Sequence, residues 1–485
     1  MFKKILCLII SISCVLSLVA CGGEKGGGEK TTTIHWYMKK SVDNVSGQEA
    51  VEEEINKILE KRVGAKIKMH LVDASAWEEK MNVMISSGEE FDICMTTSTS
   101  NSFPVNVKRD AFLDIKDLLN QYGKDILAKV DKRALDVATV DGKVLAIPGQ
   151  GPYSTPAVFV LNKKFVDKYN FDYTSVKTLK DMEPLFEEIV KNDPGITPIY
   201  YINDEVNEKY TDDTIPGLRY NEESKQFEIE ILIPEWVEKY KLVNGYYKKG
   251  YISKDATSKK DGAAEMKSGK YVLLSETGAY SKDGSKSSSF YGFPCVEALN
   301  GYRTITTREL INQGNAISAT SKNPEKAIQV LNEIWKDPYL SNTLAYGIEG
   351  VNYTIDTTKE YKSVIPKSGK DQTWGIWHNW VGPLWDQWDS PWNRKEKLEE
   401  MQEMNDVAKV SGSLGFLFNT EPVKNEIAQV TAAITETRSI LKTGSMPDFD
   451  DYYNKAVQKL KNAGIEKIQN EANEQLKEWQ LKNNK

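Results

Sequence analysis

The run Trp374–Asn393, WGIWHNWVGPLWDQWDSPWN, holds six of the chain's eleven tryptophans: Trp374, Trp377, Trp380, Trp385, Trp388 and Trp392. An indole offers a flat apolar face and a single N–H donor. Such a face suits the C–H side of a sugar ring, whose hydroxyl fringe then needs carboxylates or amides. Both kinds of group recur elsewhere. Trp36, Tyr37, Tyr153, Tyr200, Tyr201, Tyr280 and Tyr353 fall in expected loops, beside Asn203, Asp204, Glu276 and Asn379. Covering about 100 Å² of apolar sugar face stabilises by roughly 2–3 kcal/mol. Two or three platforms of that size reach micromolar binding, about −8 kcal/mol, after ordering costs. Packing at a junction between lobes and a membrane-interface belt are the competing uses of the same rings. Gly375, Gly382, Pro383 and Pro391 rule out one long helix through the run. Trp374, Trp377 and Trp380 share a three-residue spacing that one short turn could align.

Other chemistry is sparse. The three histidines, His35, His70 and His378, have no His or Cys partner at metal-ligand spacing. No nucleophile elbow, phosphate-binding loop or dinucleotide fingerprint occurs. Seventy acidic residues make chance carboxylate pairs, so counting neither supports nor excludes a glycoside hydrolase. No cofactor or metal is expected.

The chain opens MFKKILCLIISISCVLSLVAC. Lys3 and Lys4 precede an apolar run, Ile5–Val19, of signal-peptide length. Leu18-Val19-Ala20-Cys21 is a lipobox pattern, so cleavage after residue 20 and acylation of Cys21 are expected. Residues 21–32 then read as acylated cysteine and glycine-rich tether. Cys94 and Cys295 remain and read as buried free thiols. Loss of Lys3 and Lys4 with the leader takes the net charge from −7 to −9. An acidic chain with no basic block argues against nucleic acid and against a polybasic membrane patch. A length of 485 residues implies two or three domains.

Periodicity supplies the elements that must position these side chains. Ile34–Met38, Ile67–Leu71 and Phe91–Met95 read as strands. Helical faces at Val51–Leu59 and Trp77–Ile85 separate them, giving the βαβαβ unit of a parallel doubly wound sheet. Ligands bind beyond the carboxyl ends of such strands. Those ends carry Lys39, Lys40 and Asp43 in one loop and Thr96 to Asn101, with Thr97 and Ser98, in another. A helical stretch Ile115–Val137 leads to a hairpin turn at Asp141-Gly142. The Pro/Gly run Pro148–Pro156 reads as a crossing between lobes. A second α/β pattern follows, with helices at 179–191 and 236–249, strands at 196–202, 271–275 and 314–319, and a polar loop at Ser285–Ser289. Asn323-Pro324-Glu325 starts a helix, with Asn323 as N-cap. Pro422–Leu441 and Phe449–Trp479 read as helical.

The lipobox, MISSGEEFDI, DGKVLAIP, SATSKNPEKAIQVLNEIW and YGIEGVNYT resemble family 1 extracellular solute-binding proteins, the lipid-anchored receptors of ABC importers. GFLFNTEPVKNEIAQV, LKTG and NAGIEKIQNEANEQLKEW are similar to the long lipoprotein branch of that family. The likeness covers nearly all of residues 33–480. It implies two α/β lobes of the type II periplasmic-binding-protein-like fold, with a helical C-terminal extension. It implies no catalysis, and oligosaccharide as the commonest ligand class. By correspondence, contacts come from Lys39, Asp43, Thr97 and Ser98 on the first lobe. On the second lobe they come from Tyr200, Tyr201 and Asn203, from Glu276 to Tyr280, and from the C-terminal aromatic region. Where related receptors often carry Gly-Asn, this chain has His378-Asn379.

The expectation is therefore a monomeric carbohydrate-binding lipoprotein on the outer face of the cell membrane, handing its ligand to ABC permease subunits. Lobe 1 is expected at 33–150 plus 304–350, and lobe 2 at 151–303 plus 351–485. Trp36, Tyr153, Trp374, Trp377 and Asn379 complete the expected ligand contacts. A receptor for a peptide or other solute is the alternative, and a surface glycoside hydrolase a more distant one.

Overall fold

The computed structural model describes residues 31–483, apart from 201, 203–206, 208, 212–213, 258–261, 275–280, 282 and 392. Two larger sheets are built from β1 (Thr32–Lys39), β2 (Ala65–Val72), β3 (Ile93–Thr96), β4 (Ile147–Pro148), β5 (Pro156–Asn162), β6 (Thr197–Ile199), β7 (Tyr271–Leu274), β8 (Cys295–Tyr302) and β9 (Gly314–Ile317). The first sheet has the order β2-β1-β3-β9-β4 and the second β8-β5-β7-β6. The leader and Cys21 lie outside the described residues.

Local patterning explains the first sheet. Along β1, Ile34, Trp36 and Met38 are buried and alternate with more exposed neighbours. The helix Gln48–Val63 buries Val51, Ile55 and Leu59 on one stripe. Gly64 ends it at φ +63°, a conformation that glycine adopts without a Cβ penalty, and its N–H bonds to the Glu60 carbonyl. β2 and β3 both pair with β1 in parallel. The sheet is nevertheless mixed, because β9 runs antiparallel to both β3 and β4. The chain reaches β9 from the second lobe and so enters from the opposite direction. The second sheet is also mixed: β5 runs antiparallel to β7 and β8, while β6 and β7 are parallel. A third layer packs a small sheet (210–211, 218–221, 226–229) against the helices Lys424–Thr443, Phe449–Asn462 and Ile465–Asn483.

Several expected elements differ. The stretch 115–137 is three short helices, Lys116–Tyr122, Lys124–Lys129 and Lys132–Val137. Gly123 breaks the first, and the Asp131 carboxylate caps the third by accepting from the amides of Arg133 and Ala134. Ser285–Tyr291 is a helix rather than a polar loop, bounded by Gly284 and Gly292 at positive φ. Gly464, at φ +94°, divides the C-terminal helical stretch in two. Asn323 makes no side-chain cap bond. Its amide faces the Asp92 carboxylate at 3.5 Å instead. The stretch 374–381, expected in the second lobe, packs on the first: Trp374, Ile376 and Val381 are part of the hydrophobic core around β1. Cys94 and Cys295 are buried and free.

Three segments run side by side between the sheets. The Arg303 amide bonds to the Thr155 carbonyl at 3.0 Å, and the Ile305 amide to the Lys409 carbonyl at 2.8 Å. Asn405, buried at the end of the helix Lys395–Val407, ties the first crossing. Its Oδ1 accepts from the amides of Tyr153 (2.8 Å) and Ser154 (3.2 Å), and its Nδ2 donates to the Gly151 carbonyl at 2.9 Å. Its own carbonyl accepts from Arg133 at 2.9 Å. Removing this side chain leaves buried backbone groups without partners, which costs about 1–3 kcal/mol for each group. Asn405→Ala is expected to destabilise the fold by roughly 2–4 kcal/mol and to speed hydrogen exchange at the amides of 153 and 154. Unchanged protection at those two amides would remove Asn405 from this role.

Candidate functional site

The sheet register places one row of residues at the edge from which the chain departs for the second lobe. Trp36 pairs with Ile93 and Tyr37 with Cys94, so Lys39 stands level with Thr96. Thr96 pairs with Gly314, and Gly314 with Pro148, where the crossing begins. Loops leaving this row therefore share the side that faces the second lobe. In that lobe β7 runs against β5, so the carboxyl ends of β6 and β7 point toward the start of β5, the crossing side. Both sets of strand ends therefore lie on the crossing side of their sheets, and the space between them is the candidate cleft.

The wall of the cleft on the first lobe is formed by 39–42 and 375–380. The Ser41 hydroxyl donates to the Gly375 carbonyl at 2.5 Å. A Cβ on Gly375 would come 3.2 Å from Val42 Cγ1. Lys39 Nζ lies 5.8 Å from the centre of the Trp380 ring. Asn315 joins this wall to the core: it accepts from Trp36 Nε1 at 2.9 Å and donates to the Trp380 carbonyl at 2.8 Å. At the crossing, Gln313 Nε2 donates to the Gln150 carbonyl at 3.0 Å. The Asn379 carbonyl approaches Gly149 so closely that a Cβ there would sit 2.5 Å from it.

The tryptophan run thus divides by position. Trp374 is a core residue, 3% exposed, with its indole N–H bonded to the Leu344 carbonyl at 2.8 Å. Trp377 is 58% exposed. Trp380 is half-buried beneath Lys39, and the Trp385 amide bonds to Gln150 at 3.3 Å. Trp388 stacks on Tyr346 under the Lys362 ammonium. Trp392 lies outside the described residues.

Expected contact residues divide in the same way. Trp36 is fully buried in β1 and cannot meet a ligand in this conformation, because strand alternation turns it into the core. Tyr153 is buried in the crossing, with its hydroxyl bonded to the Gly149 carbonyl at 3.0 Å. Thr97 is buried, and its hydroxyl shapes its own loop by donating to the Ser100 carbonyl and accepting from the Ser100 amide. Trp374 is likewise withdrawn from the cleft. Lys39, Asp43, Ser98, Trp377 and Asn379 keep accessible surface on the first lobe, and Ser98 reaches Asn312 at 3.4 Å. Tyr200 is partly exposed at the end of β6, edge-on to Tyr271 at 4.9 Å. Tyr201, Asn203, Glu276 and Tyr280 lie outside the described residues. Asn405, Gln150, Gln313 and Asn315 organise the cleft. No local pattern in the sequence marks them, since their partners are far away along the chain. Among the described residues no group of three or more His, Cys, Asp or Glu could hold a metal ion. Among them, too, no helix is long and apolar enough to cross a membrane.

His378 lies directly under this wall. It is 3% exposed, and among the described residues neither ring nitrogen has a hydrogen-bond partner. Burial pushes its pKa down to about 3, so the folded ring is neutral. An unfolded histidine titrates near about 6.5. Its folded pKa is depressed, so the contribution is complete above that pH and is lost as pH falls toward 3. The slope in that window is about 1.4 kcal/mol per pH unit. Between pH 7 and pH 5 the chain is expected to lose about 2 kcal/mol more than a His378→Leu chain loses, by urea titration. Equal losses in the two chains would show that His378 is not held neutral.

The chain was compared with known proteins. The profile of the family described as "Bacterial extracellular solute-binding protein" matches residues 43–334, and that of a domain of unknown function (DUF3502) matches residues 412–481. A "Carbohydrate ABC transporter substrate-binding protein" of Streptococcus pneumoniae serotype 4 is 27% identical, over 98% of this chain and 97% of that protein. The crystal structure of the N-glycan transport solute binding protein NgtS of Streptococcus pneumoniae superposes with a TM-score of 0.76 at 25% identity, covering 94% of this chain and all of that one. Its complex with Man5GlcNAc gives 0.63 at 25% identity, with the same coverage. The two-lobed architecture, the crossing segments and the profile match over most of the chain lead to one conclusion: the chain belongs to the bacterial extracellular solute-binding protein family.

Proposed function

We propose that the protein captures an oligosaccharide between its lobes and delivers it to an ABC importer, without catalysis. One observation carries the reading. Trp377 stands 58% exposed beside amides and a lysine on the cleft wall, while its neighbours in the run are anchored in the core. An unpaired indole face of that kind is suited to a sugar ring. Ser98 and Asn379 on the first lobe would then grip hydroxyls, with Tyr200, Tyr201, Asn203, Glu276 and Tyr280 supplied by the second lobe. The mechanism is lobe closure: the open form admits the glycan, and the closed form buries it and presents the surface that the permease reads. Acylated Cys21 would hold the protein at the outer face of the membrane. Mass spectrometry of the N-terminal peptide of the membrane-bound protein is expected to show a lipid-modified Cys21, and an unmodified Cys21 would contradict the anchor.

The test is a thermal-shift screen of residues 22–485 against a broad oligosaccharide panel, with product analysis of each hit. A ligand that binds only the folded state raises the melting temperature. Cleavage of a hit would favour a hydrolase, and silence across the panel a peptide or other solute. For a glycan that binds, Trp377→Ala is expected to weaken affinity by roughly 30- to 100-fold, the loss of one covered sugar face. The melting temperature without ligand is expected to hold. Unchanged affinity would remove Trp377 from the site.

A further inference from the structure

We infer that the glycan taken by this cleft is acidic, with the Lys39 ammonium receiving a carboxylate or sulfate carried by one of its sugars. This rests on the glycan reading above and adds the sign of the ligand's charge.

Lys39 and Lys40 are adjacent, yet their surroundings differ. Lys40 Nζ is paired with Asp73 at 2.9 Å. Lys39 is half-buried and, among the described residues, has no carboxylate within 4.0 Å of its Nζ. Its Nζ stands over the face of Trp380, which attracts a cation without neutralising it. Glu78 acts on it electrostatically without forming an ion pair with it. It accepts from the Asn101 amide at 2.6 Å and from the Asn82 side chain at 3.3 Å. Partial burial strips water from the ammonium and lowers its pKa. A cation in that state gains more from an opposite charge than an exposed lysine does. An ionised oxygen also adds a Coulomb attraction to the ammonium that a neutral hydroxyl does not supply. Its place matters as much as its isolation. Lys39 ends β1 in the row that opens onto the cleft, in the same wall as Trp377, Asn379 and Trp380. Trp380, the ring beneath the Lys39 ammonium, is three residues on from the exposed Trp377 in the same segment. The aromatic faces then set the affinity for sugar rings in general, and Lys39 selects among them by charge.

The experiment is calorimetric titration of residues 22–485 with three matched pairs. These are a sialylated N-glycan and its desialylated form, an oligogalacturonate and its methyl ester, and a sulfated chondroitin tetrasaccharide and its desulfated form. At low salt, the acidic member of at least one pair is expected to bind at least tenfold more tightly than its neutral twin. That gap is expected to narrow in high salt, to close in Lys39→Met and to persist in Lys39→Arg. Melting temperatures of both variants check folding. Neutral members binding as well as or better than acidic ones would overturn the inference and leave the glycan receptor standing. So would a gap that survives Lys39→Met. No binding by any of the six would overturn the inference, while the glycan reading itself stands or falls on the broad panel.

Discussion

Three stretches of chain cross between the lobes, and their backbone groups must be satisfied where no sheet continues. Asn405 meets much of that demand, with its two amide functions turned onto Gly151, Tyr153 and Ser154. The constraint fixes where the crossing leaves the first sheet, and therefore which strand ends face the second lobe. It also draws in the third layer. The Glu222 carboxylate accepts from the Gly412 amide and the Ser411 hydroxyl, both at 2.9 Å, so the third crossing is tied to the small sheet of that layer. A hinge held by a few directional bonds can bend without unpacking either core. The two cores on either side are separate clusters of buried residues, which is what rigid-body motion needs.

The tryptophan run shows how one segment serves both packing and recognition. Its anchors are Trp374, bonded to the Leu344 carbonyl, and the turn at 378–381, held through Asn315. Between them the chain has little freedom, so Trp377 is presented rather than left to move. Preorganisation of this kind lowers the ordering cost of binding. His378 is the neutral, fully packed partner of that arrangement, directly adjacent to two residues of the wall.

Much of this was legible from the residues. Alternation at Ile34, Trp36 and Met38, the helical stripe at Val51, Ile55 and Leu59, and the αL glycines at 64 and 88 are local signals, and each element forms where they put it. The same pattern ends β1 at Met38, one residue short of the observed Lys39. What local signals miss is direction and distance. Trp36 lies inside the expected strand Ile34–Met38, and its place on the buried face with Ile34 and Met38 conflicts with its reading as a loop aromatic and ligand contact. The run 374–393 reads as belonging to the second lobe because it follows it in sequence. Its core contacts are made with β1 and with the helix Pro338–Tyr346. Asn405 has no signature, since its partners lie some 250 residues earlier. The serine-rich 285–289 reads as a loop by composition, yet two glycines at positive φ delimit a short helix there.

The central claim is that the two rows of strand ends close on a glycan by bending at the three crossings. Small-angle X-ray scattering of residues 22–485, titrated with a glycan that the thermal screen identifies, tests it most directly. The account predicts a radius of gyration that falls and saturates at the same ligand concentration as binding. Saturated binding with an unchanged radius would contradict closure and require a preformed site.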